Sequence, residues 1–473
     1  MVNVPVFVPL FAPLHDKSER KITEVLVRVK GEFDPLPPLF LRAQSSGTCD
    51  LPTKQNEERL IAYAFLLSNR WDVEKTMKAI RDMLKFRERY QIDSLLVHPS
   101  PFCVRGFDEE DLCARLNIKM RPTVTEREKI VATLCTSLHF GIHFWDKHGI
   151  PVAYWLVGKA EVHDTLRKLK QQTPVGKTAA DLGKGCAAYA LEVGWNICRY
   201  QSMRLQERAV PGIAPAEGRL QAVTVVLDAS GLGYKDLSRP ALELLHEVLW
   251  ELQAHYADAV NRLLVVNCPR MIMFAYNILK RSLHEGFQKK ITFVSPADTP
   301  EALDIVIGKE RVPSFLGGHC SCPNGCIASY DPNAAFTAEE EDEGDVVTED
   351  INLKPGKTLE KAFELEKGEE VVWEFVSTSG ADVRFLVNFY PKTEGISVHP
   401  ERKRVVIDKS IKKTTKEHPL VHESKLADGA DRFCAPQDGV LQLVWDNSRS
   451  WVQRRPIQMR VYKNSPLADG SED

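Results

Sequence analysis

The sequence lacks an enzyme motif, an excess of charge of one sign and an apolar run long enough to cross a bilayer. The 473 residues include 62 Lys and Arg and 65 Asp and Glu. The resulting net charge of -3 argues against a protein devoted to nucleic acid. No Gly-x-Ser-x-Gly or His-Glu-x-x-His occurs, and Gln171 stands where a phosphate loop ending in Gly176-Lys177-Thr178 needs glycine. We therefore expect neither an enzyme nor a nucleic-acid partner.

Targeting signals are also scarce. Residues 1–16 are apolar, but they contain three prolines and no basic start, which excludes a signal peptide or a membrane span there. We expect neither myristoylation, because residue 2 is Val, nor prenylation, because the sequence ends in Ser-Glu-Asp. The 11 cysteines are scattered and odd in number, which is typical of a reducing compartment. We expect a cytoplasmic protein that associates with membranes only peripherally.

Three apolar runs alternate with two helix-patterned runs between residues 222 and 294. Residues 222–227, 263–266 and 291–294 are rich in Val, Ile and Leu without alternation, as strands buried on both faces of a parallel sheet are. Between the first two, leucines at 242, 245, 249 and 252 follow helical spacing. The pattern predicts a βαβαβ block with right-handed crossovers.

The second crossover, residues 269–286, is apolar without a gap from Met271 to Ala275. Such a helix fits two interpretations. It is either buried in the core on all sides, or it covers an apolar cavity on one side and contacts a membrane on the other. Periodicity alone does not separate them.

Five blocks resemble the CRAL-TRIO lipid-binding domain, the family of phosphatidylinositol, tocopherol and retinoid carriers. They are VVLDASG, HYADAVNRLLVVNCP, a helix, KKITFV and VPSFLGG, in this order between residues 225 and 318. The resemblance implies an α/β fold with an apolar pocket that the 269–287 helix closes as a gate. The expected gate and pocket residues are Met271, Ile272, Phe274, Ile278, Leu279, Leu283 and Phe287.

The resemblance also implies a polar end to the pocket. The resemblance places the headgroup positions of phosphatidylinositol-binding members, a Glu, a Thr and a Lys, on Asp258, Phe287 and Lys290. Asp258 is one methylene shorter than the family's Glu, Phe287 lacks the hydroxyl of the Thr, and Lys290 retains the Lys. Two basic positions of the family fall on Leu67 and Asn69. We expect Lys290 and Asp258 at the headgroup, although Lys290 also fits a solvated surface lysine. The ligand stays open between phosphatidylinositol, another phospholipid, and an apolar lipid such as a sterol or tocopherol.

The segments before the lipid domain are helical or hard to place. Residues 56–118 are similar to the small helical domain that precedes the lipid domain in this family, and Asp72 is a good helix N-cap. Residues 1–55 form an N-terminal extension, in which residues 21–30 alternate like a half-buried strand. The lipid domain is expected at residues 119–331.

A cysteine-rich segment, GGHCSCPNGC, follows the lipid-domain blocks. Its His319, Cys320, Cys322 and Cys326 are zinc-ligand types, but their spacing is not a paired Cys-x-x-Cys. A similar segment follows the two glycines in some members of the family. We favour free thiols in a capping loop over zinc, and expect no metal and no cofactor besides the bound lipid.

The C-terminal third predicts a separate all-β unit. Residues 332–349 form an acidic linker, residues 350–464 contain short strands between Gly, Asp and Asn turns, and residues 465–473 form a tail. The unit resembles a GOLD domain, a β-sandwich ending in Asp-Asn-Ser-x-Ser-Trp, which implies a trafficking-related protein partner. A basic cluster suits either an anionic membrane surface or a solvated loop, and comprises Arg402, Lys403, Arg404, Lys412 and Lys413.

A CRAL-TRIO domain followed by GOLD is the arrangement of the Sec-fourteen-like and patellin-like proteins. The sequence therefore predicts a cytosolic lipid-binding and lipid-transfer protein that exchanges one lipid at membranes through its gate. The alternative is a lipid-sensing scaffold that recruits partners through the GOLD unit.

Overall fold

The computed structural model describes the chain in two compact units, Met1–Ala334 and Ala335–Asp473. The described residues are 14–95, 97–120, 126–160, 162–174, 176–214, 218–232, 239–268, 276, 283–331, 349–377, 382–392, 396–398, 405–407, 422–426 and 428–464. None of the helices within these ranges is both long enough and apolar enough to span a bilayer.

A six-stranded sheet forms the centre of the first unit, with its strands in chain order. Strands β3 to β6 pair in parallel, and β2 is antiparallel to β3. The parallel block predicted from residues 222–294 is confirmed, since its continuous apolar runs are consecutive neighbours. The strands are β1 Cys103–Arg105, β2 Phe140–Trp145, β3 Pro151–Trp155, β4 Val223–Asp228, β5 Val260–Val266 and β6 Ile291–Phe293.

Helices precede this sheet in the chain and alternate with its strands. The side chain of Asp72 caps α4 by accepting a hydrogen bond from the amide of Lys75 at 3.0 Å, as predicted. Thr178 and Asp181 form a capping box at the start of α8. The helices are α1 Asp16–Glu32, α2 Pro38–Gln44, α3 Glu57–Ser68, α4 Val73–Arg89, α5 Glu109–Leu116, α6 Glu126–Ser137, α7 Val162–Gln172, α8 Ala179–Gln206, α9 Arg239–His255, α10 Glu285–Gln288 and α11 Thr299–Val306.

The strand predicted at residues 21–30 is wrong, because these residues lie inside α1. Ile22, Val25, Leu26 and Val29 are buried, and their spacing of three, one and three is that of one helix face. Val27, which completed the apparent alternation, is 64% exposed. The buried residues of α1 pack with those of α2, α3 and α4 in one core.

A buried ion network connects α4 with α8. The guanidinium of Arg87 donates to Glu192 at 2.8 Å and to Asp93 at 2.8 Å. Tyr256 donates to the same Glu192 carboxylate at 3.1 Å. Burial alone would lower the pKa of Arg87, but the two carboxylates raise it above its ordinary value. The arginine is therefore charged, and its charge is fully paired.

The second unit contains two four-stranded antiparallel sheets, ordered β13-β10-β15-β8 and β14-β9-β16-β7. They share one core, in which Phe375 of β9 lies 5.8 Å from Trp445 of β15 between ring centroids. This is an all-β domain, as the strand pattern predicts. Its strands are β7 Glu349–Leu353, β8 Thr358–Leu365, β9 Glu370–Ser377, β10 Val383–Pro391, β11 Ile396–Val398, β12 Val405–Ile407, β13 His422–Leu426, β14 Asp428–Cys434, β15 Gly439–Asp446 and β16 Arg455–Asn464.

Candidate functional site

The two faces of the parallel sheet are covered unequally. On one face, Val226, Leu264 and Val266 are fully buried and pack with residues of α11. Side chains of alternate residues point to the other face. On this second face Val223 and Val265 are also buried, but their apolar neighbours Val225, Leu227, Leu263, Ile291 and Phe293 are only partly buried. We call it the half-covered face, because partly exposed apolar side chains that adjoin one another favour an apolar cover.

Two of the predicted gate and pocket residues lie within the described chain. Leu283 is buried, and Phe287 is half-buried in the short helix α10. Tyr276 contacts the half-covered face, with its ring centroid 4.9 Å from that of Phe293. The other predicted gate residues lie outside the described residues: Met271, Ile272, Phe274, Ile278 and Leu279.

Lys290 and Asp258 are brought together, although 32 positions separate them in the sequence. The ammonium of Lys290 pairs with the Asp258 carboxylate and donates to the carbonyl of Val260 at 2.6 Å. Only 21% of the Lys290 side chain is exposed. Both residues precede a strand, Asp258 before β5 and Lys290 before β6. They therefore lie at the edge where the parallel strands begin.

Lys54 is a second cation near Asp258 that the sequence did not indicate. Its ammonium lies 3.7 Å from the ring centroid of Tyr63 in α3. Burial lowers the pKa of Lys54, while the nearby carboxylates of Asp258 and Glu19 oppose that shift. Burial, followed by the charge of Asp258, also raises the pKa of Tyr63. Lys54, Lys290 and Asp258 together carry a formal charge of about +1 at neutral pH.

A polar cavity of about 440 Å³ lies at the opposite edge, where β4 and β5 end. The carboxylate of Asp228 lines it and accepts hydrogen bonds from the amide of Asn267 and the hydroxyl of Ser230, both at 2.8 Å. Phe315 and Tyr330 close one side. Because Asp228 is held by these partners, its carboxylate is oriented rather than available as a free base.

The cysteine-rich segment separates the four residues that the sequence grouped. His319 is 52% exposed and pairs with Glu310 at 2.9 Å. Cys320, Cys322 and Cys326 instead turn toward His143 of β2. Burial raises the pKa of the Cys320 thiol above its ordinary value.

The basic cluster predicted to contact anionic membranes belongs to the second unit. Arg402, Lys403, Arg404, Lys412 and Lys413 all lie outside the described residues. The assignment of the second unit to GOLD likewise stays a prediction, since the two sheets establish an all-β domain and no more.

Comparison with known families identifies the class of domain that contains the half-covered face. Residues 136–318 match the family model described as the CRAL/TRIO domain. This match supports the resemblance seen in the sequence blocks for residues 136–318, which are less than half of the chain.

Individual relatives are distant. The chain is 24% identical over 304 residues to Protein real-time of Drosophila melanogaster, covering 63% of this chain and 38% of that protein. It is 24% identical over 327 residues to the phosphatidylinositol/phosphatidylcholine transfer protein SFH14 of Arabidopsis thaliana, covering 68% of this chain and 45% of the relative. The chain thus spans less than half the length of either relative.

Among solved structures, the crystal structure of Sfh5 aligns over 68% of this chain and 90% of its own. The TM-score is 0.39 at 13% sequence identity.

Proposed function

We propose that the protein binds one lipid over the half-covered face of its sheet and exchanges it at membranes. The observation that carries this proposal is the unequal covering of the two faces within a CRAL/TRIO domain. The acyl chains or rings of the lipid would contact Leu227, Leu263 and Phe293. The relative SFH14 is named a phosphatidylinositol/phosphatidylcholine transfer protein, and this supports the same function.

The energetics of lipid transport explain why an apolar cover is required. A two-chain lipid exposes on the order of 30 methylenes, at ~0.8 kcal/mol each, so leaving a bilayer for water costs ~25 kcal/mol. A carrier lowers this cost by offering apolar surface of similar extent, and it opens only at a membrane. We propose that the 269–287 segment is the gate, with Leu283 and Phe287 at its end.

We propose that the lipid headgroup lies near Lys290, Asp258 and Lys54. Three cations, Lys290, Lys54 and Arg59, face the two carboxylates of Asp258 and Glu19 there, which leaves an excess of positive charge for an anionic phosphate. This favours a phospholipid, with phosphatidylinositol as the first candidate. A sterol or tocopherol remains the alternative ligand, because the two family lysine or arginine positions at Leu67 and Asn69 are uncharged.

The proposal is tested by lipid extraction and mass spectrometry of the purified protein, followed by transfer of labelled phosphatidylinositol between vesicles. Leu263→Trp fills the space over the sheet and should abolish both lipid loading and transfer. Leu41→Trp is the matched control, because Leu41 is 47% exposed on helix α2. A wild-type protein that carries no lipid and transfers none, or equal losses in both variants, would refute a carrier.

The alternative is a lipid-sensing scaffold whose second unit recruits a partner. It is favoured by Trp451 and Val452, which are 94% and 85% exposed in the turn between β15 and β16. An exposed tryptophan of this kind is a common anchor in protein interfaces. A scaffold would load lipid but fail to move it between vesicles, so the transfer assay separates the two functions.

A further inference from the structure

Four side chains from two distant segments converge beside the sheet. One donor atom from each of His143, Cys320, Cys322 and Cys326 lies within 4.8 Å of every other. The Nε2 atom of His143 is 3.5 Å from the sulfur of Cys320 and 3.5 Å from that of Cys322. The two sulfurs are 3.6 Å apart. All three cysteines are free, so no disulfide accounts for this approach.

The three separations among His143, Cys320 and Cys322 match a tetrahedral metal centre, and Cys326 offers a fourth donor atom within 4.8 Å of each. With Zn–S of about 2.3 Å and Zn–N of about 2.0–2.1 Å, tetrahedral angles place two sulfurs about 3.8 Å apart and a nitrogen about 3.5 Å from each sulfur. From this geometry we propose that His143, Cys320, Cys322 and Cys326 form a zinc site. The set excludes His319, the histidine nearest to the cysteines in sequence.

The backbone is shaped to present these ligands. His143 lies where the pairing of β2 with β3 shifts register between Ile142 and Trp145, and such bulges re-aim side chains. In the loop, Gly318 packs so tightly that a Cβ atom there would lie 1.9 Å from the carbonyl oxygen of Val312. The amide of Cys320 donates to that same carbonyl at 3.0 Å. Cys320 is therefore held in place independently of any metal.

The ligand set indicates a structural role. Three thiolates and one imidazole fill four coordination positions, and His143 is fully buried, so no position is left for a substrate. The metal would fasten the 320–326 loop to β2. Next to the loop, Ile327 is buried in the core with Tyr154 and Val226. The zinc site would thus stabilise the edge of the lipid-binding domain without taking part in lipid exchange.

The test is zinc content by elemental analysis of the full chain, purified under reducing conditions and dialysed against a mild chelator. Wild-type protein should retain one zinc per chain, and His143→Ala and Cys322→Ser should lose it. His319→Ala is the matched control and should keep its zinc, because that side chain is half exposed and pairs with Glu310. Absence of zinc from the wild type when zinc is supplied, or loss in His319→Ala but not in His143→Ala, would overturn the proposal.

X-ray absorption of the zinc-loaded wild type gives a readout that does not depend on how the variants fold. The expected first shell has three sulfurs at about 2.3 Å and one nitrogen at about 2.0–2.1 Å. Cobalt substitution should likewise give the thiolate charge-transfer band and the intense d–d bands of a tetrahedral site. A shell dominated by oxygen, or a disulfide among the three cysteines in reduced preparations, would show that the cluster is not a zinc site.

Discussion

The carboxylate of Asp258 interacts with both Lys290 and Lys54, and this interaction limits what Lys290 can bind. Lys290 already donates to Asp258 and to the carbonyl of Val260, so a phosphate must share the ammonium with a carboxylate. Lys54 compensates part of the carboxylate charge. We therefore propose that an anionic headgroup would contact Lys290, Asp258 and Lys54 together rather than Lys290 alone.

Replacing Lys290 should separate anionic from neutral lipids. A hydrogen bond to a charged group contributes about 1.5–3 kcal/mol, so Lys290→Ala should weaken phosphatidylinositol binding about tenfold or more. Binding of a sterol should not change. Equilibrium loading from vesicles of each lipid measures both. Lys289→Ala is the control, since Lys289 is 71% exposed and pairs with Glu285. Equal losses for both lipids would mean that Lys290 only supports the fold.

The lowered pKa of Lys54 predicts a pH dependence. Lysine is charged below its pKa, and burial lowers that of Lys54 from 10.5, so its positive charge is lost at lower pH than for an ordinary lysine. Binding of phosphatidylinositol should accordingly begin to weaken on the alkaline side below pH 10.5. Lys54→Arg keeps its charge there and should remove this loss. A pH profile of loading that is identical in the two proteins would exclude Lys54 from the headgroup site.

Some of these residues could be predicted from the sequence and others could not. Lys290 and Asp258 could be proposed because the family resemblance covers the residues just before β6 and β5. Lys54 and His143 carry no local signal, because Lys54 meets Asp258, and His143 meets the three cysteines, across more than a hundred residues of chain. His319 was grouped with the cysteines because it is adjacent to Cys320, yet its side chain turns outward to Glu310.

At the scale of elements, the most accurate predictions rested on continuous apolar runs for strands, and on helical spacing together with an N-cap residue for α4. The continuous apolar runs of β4, β5 and β6 and the capped helix α4 were located to within a few residues. Helix α1 was misread because Val25, Val27 and Val29 alternate, and β-branched residues favour strands. The helix is favoured because it buries Ile22 and Leu26 in the core with α2, α3 and α4. The local sequence does not reveal these tertiary contacts.

The buried network between α4 and α8 predicts a large cost for one substitution. Arg87→Met leaves Glu192 buried without its cation, which should lower the free energy of unfolding by ~3–5 kcal/mol. Adding Glu192→Gln should recover part of this loss, because it removes the unpaired charge. Urea unfolding of the full chain measures both.

Arg81→Met provides the matched control for that loss. Arg81 pairs with Glu32 on the surface, where such pairs contribute only ~0–1 kcal/mol. A similar small effect for both arginines would mean that the network of Arg87 does not stabilise the packing of α4 against α8.

At the scale of the whole molecule, the two units have separate cores. The buried cluster of the second unit lies entirely between Leu353 and Met459. Calorimetry of the full chain should therefore resolve two unfolding transitions. Met77→Ala, in the core of α1 to α4, should lower one of them, and Trp445→Ala, in the β core, should lower the other.

Lipid loading then distinguishes a carrier from a scaffold, because the two predict different shifts in the temperatures of the two unfolding transitions. Ligand at a hundredfold excess over its Kd stabilises the native state by about 2.7 kcal/mol, but only the cooperative unit that holds the ligand gains this. A carrier with an independent second unit predicts that lipid raises only the transition that Met77→Ala lowers. A scaffold that reports lipid binding through its β unit requires coupling, so both transitions would rise together. Leu263→Trp, which excludes the lipid, should remove the shift in either case, and its persistence would place the lipid away from the half-covered face.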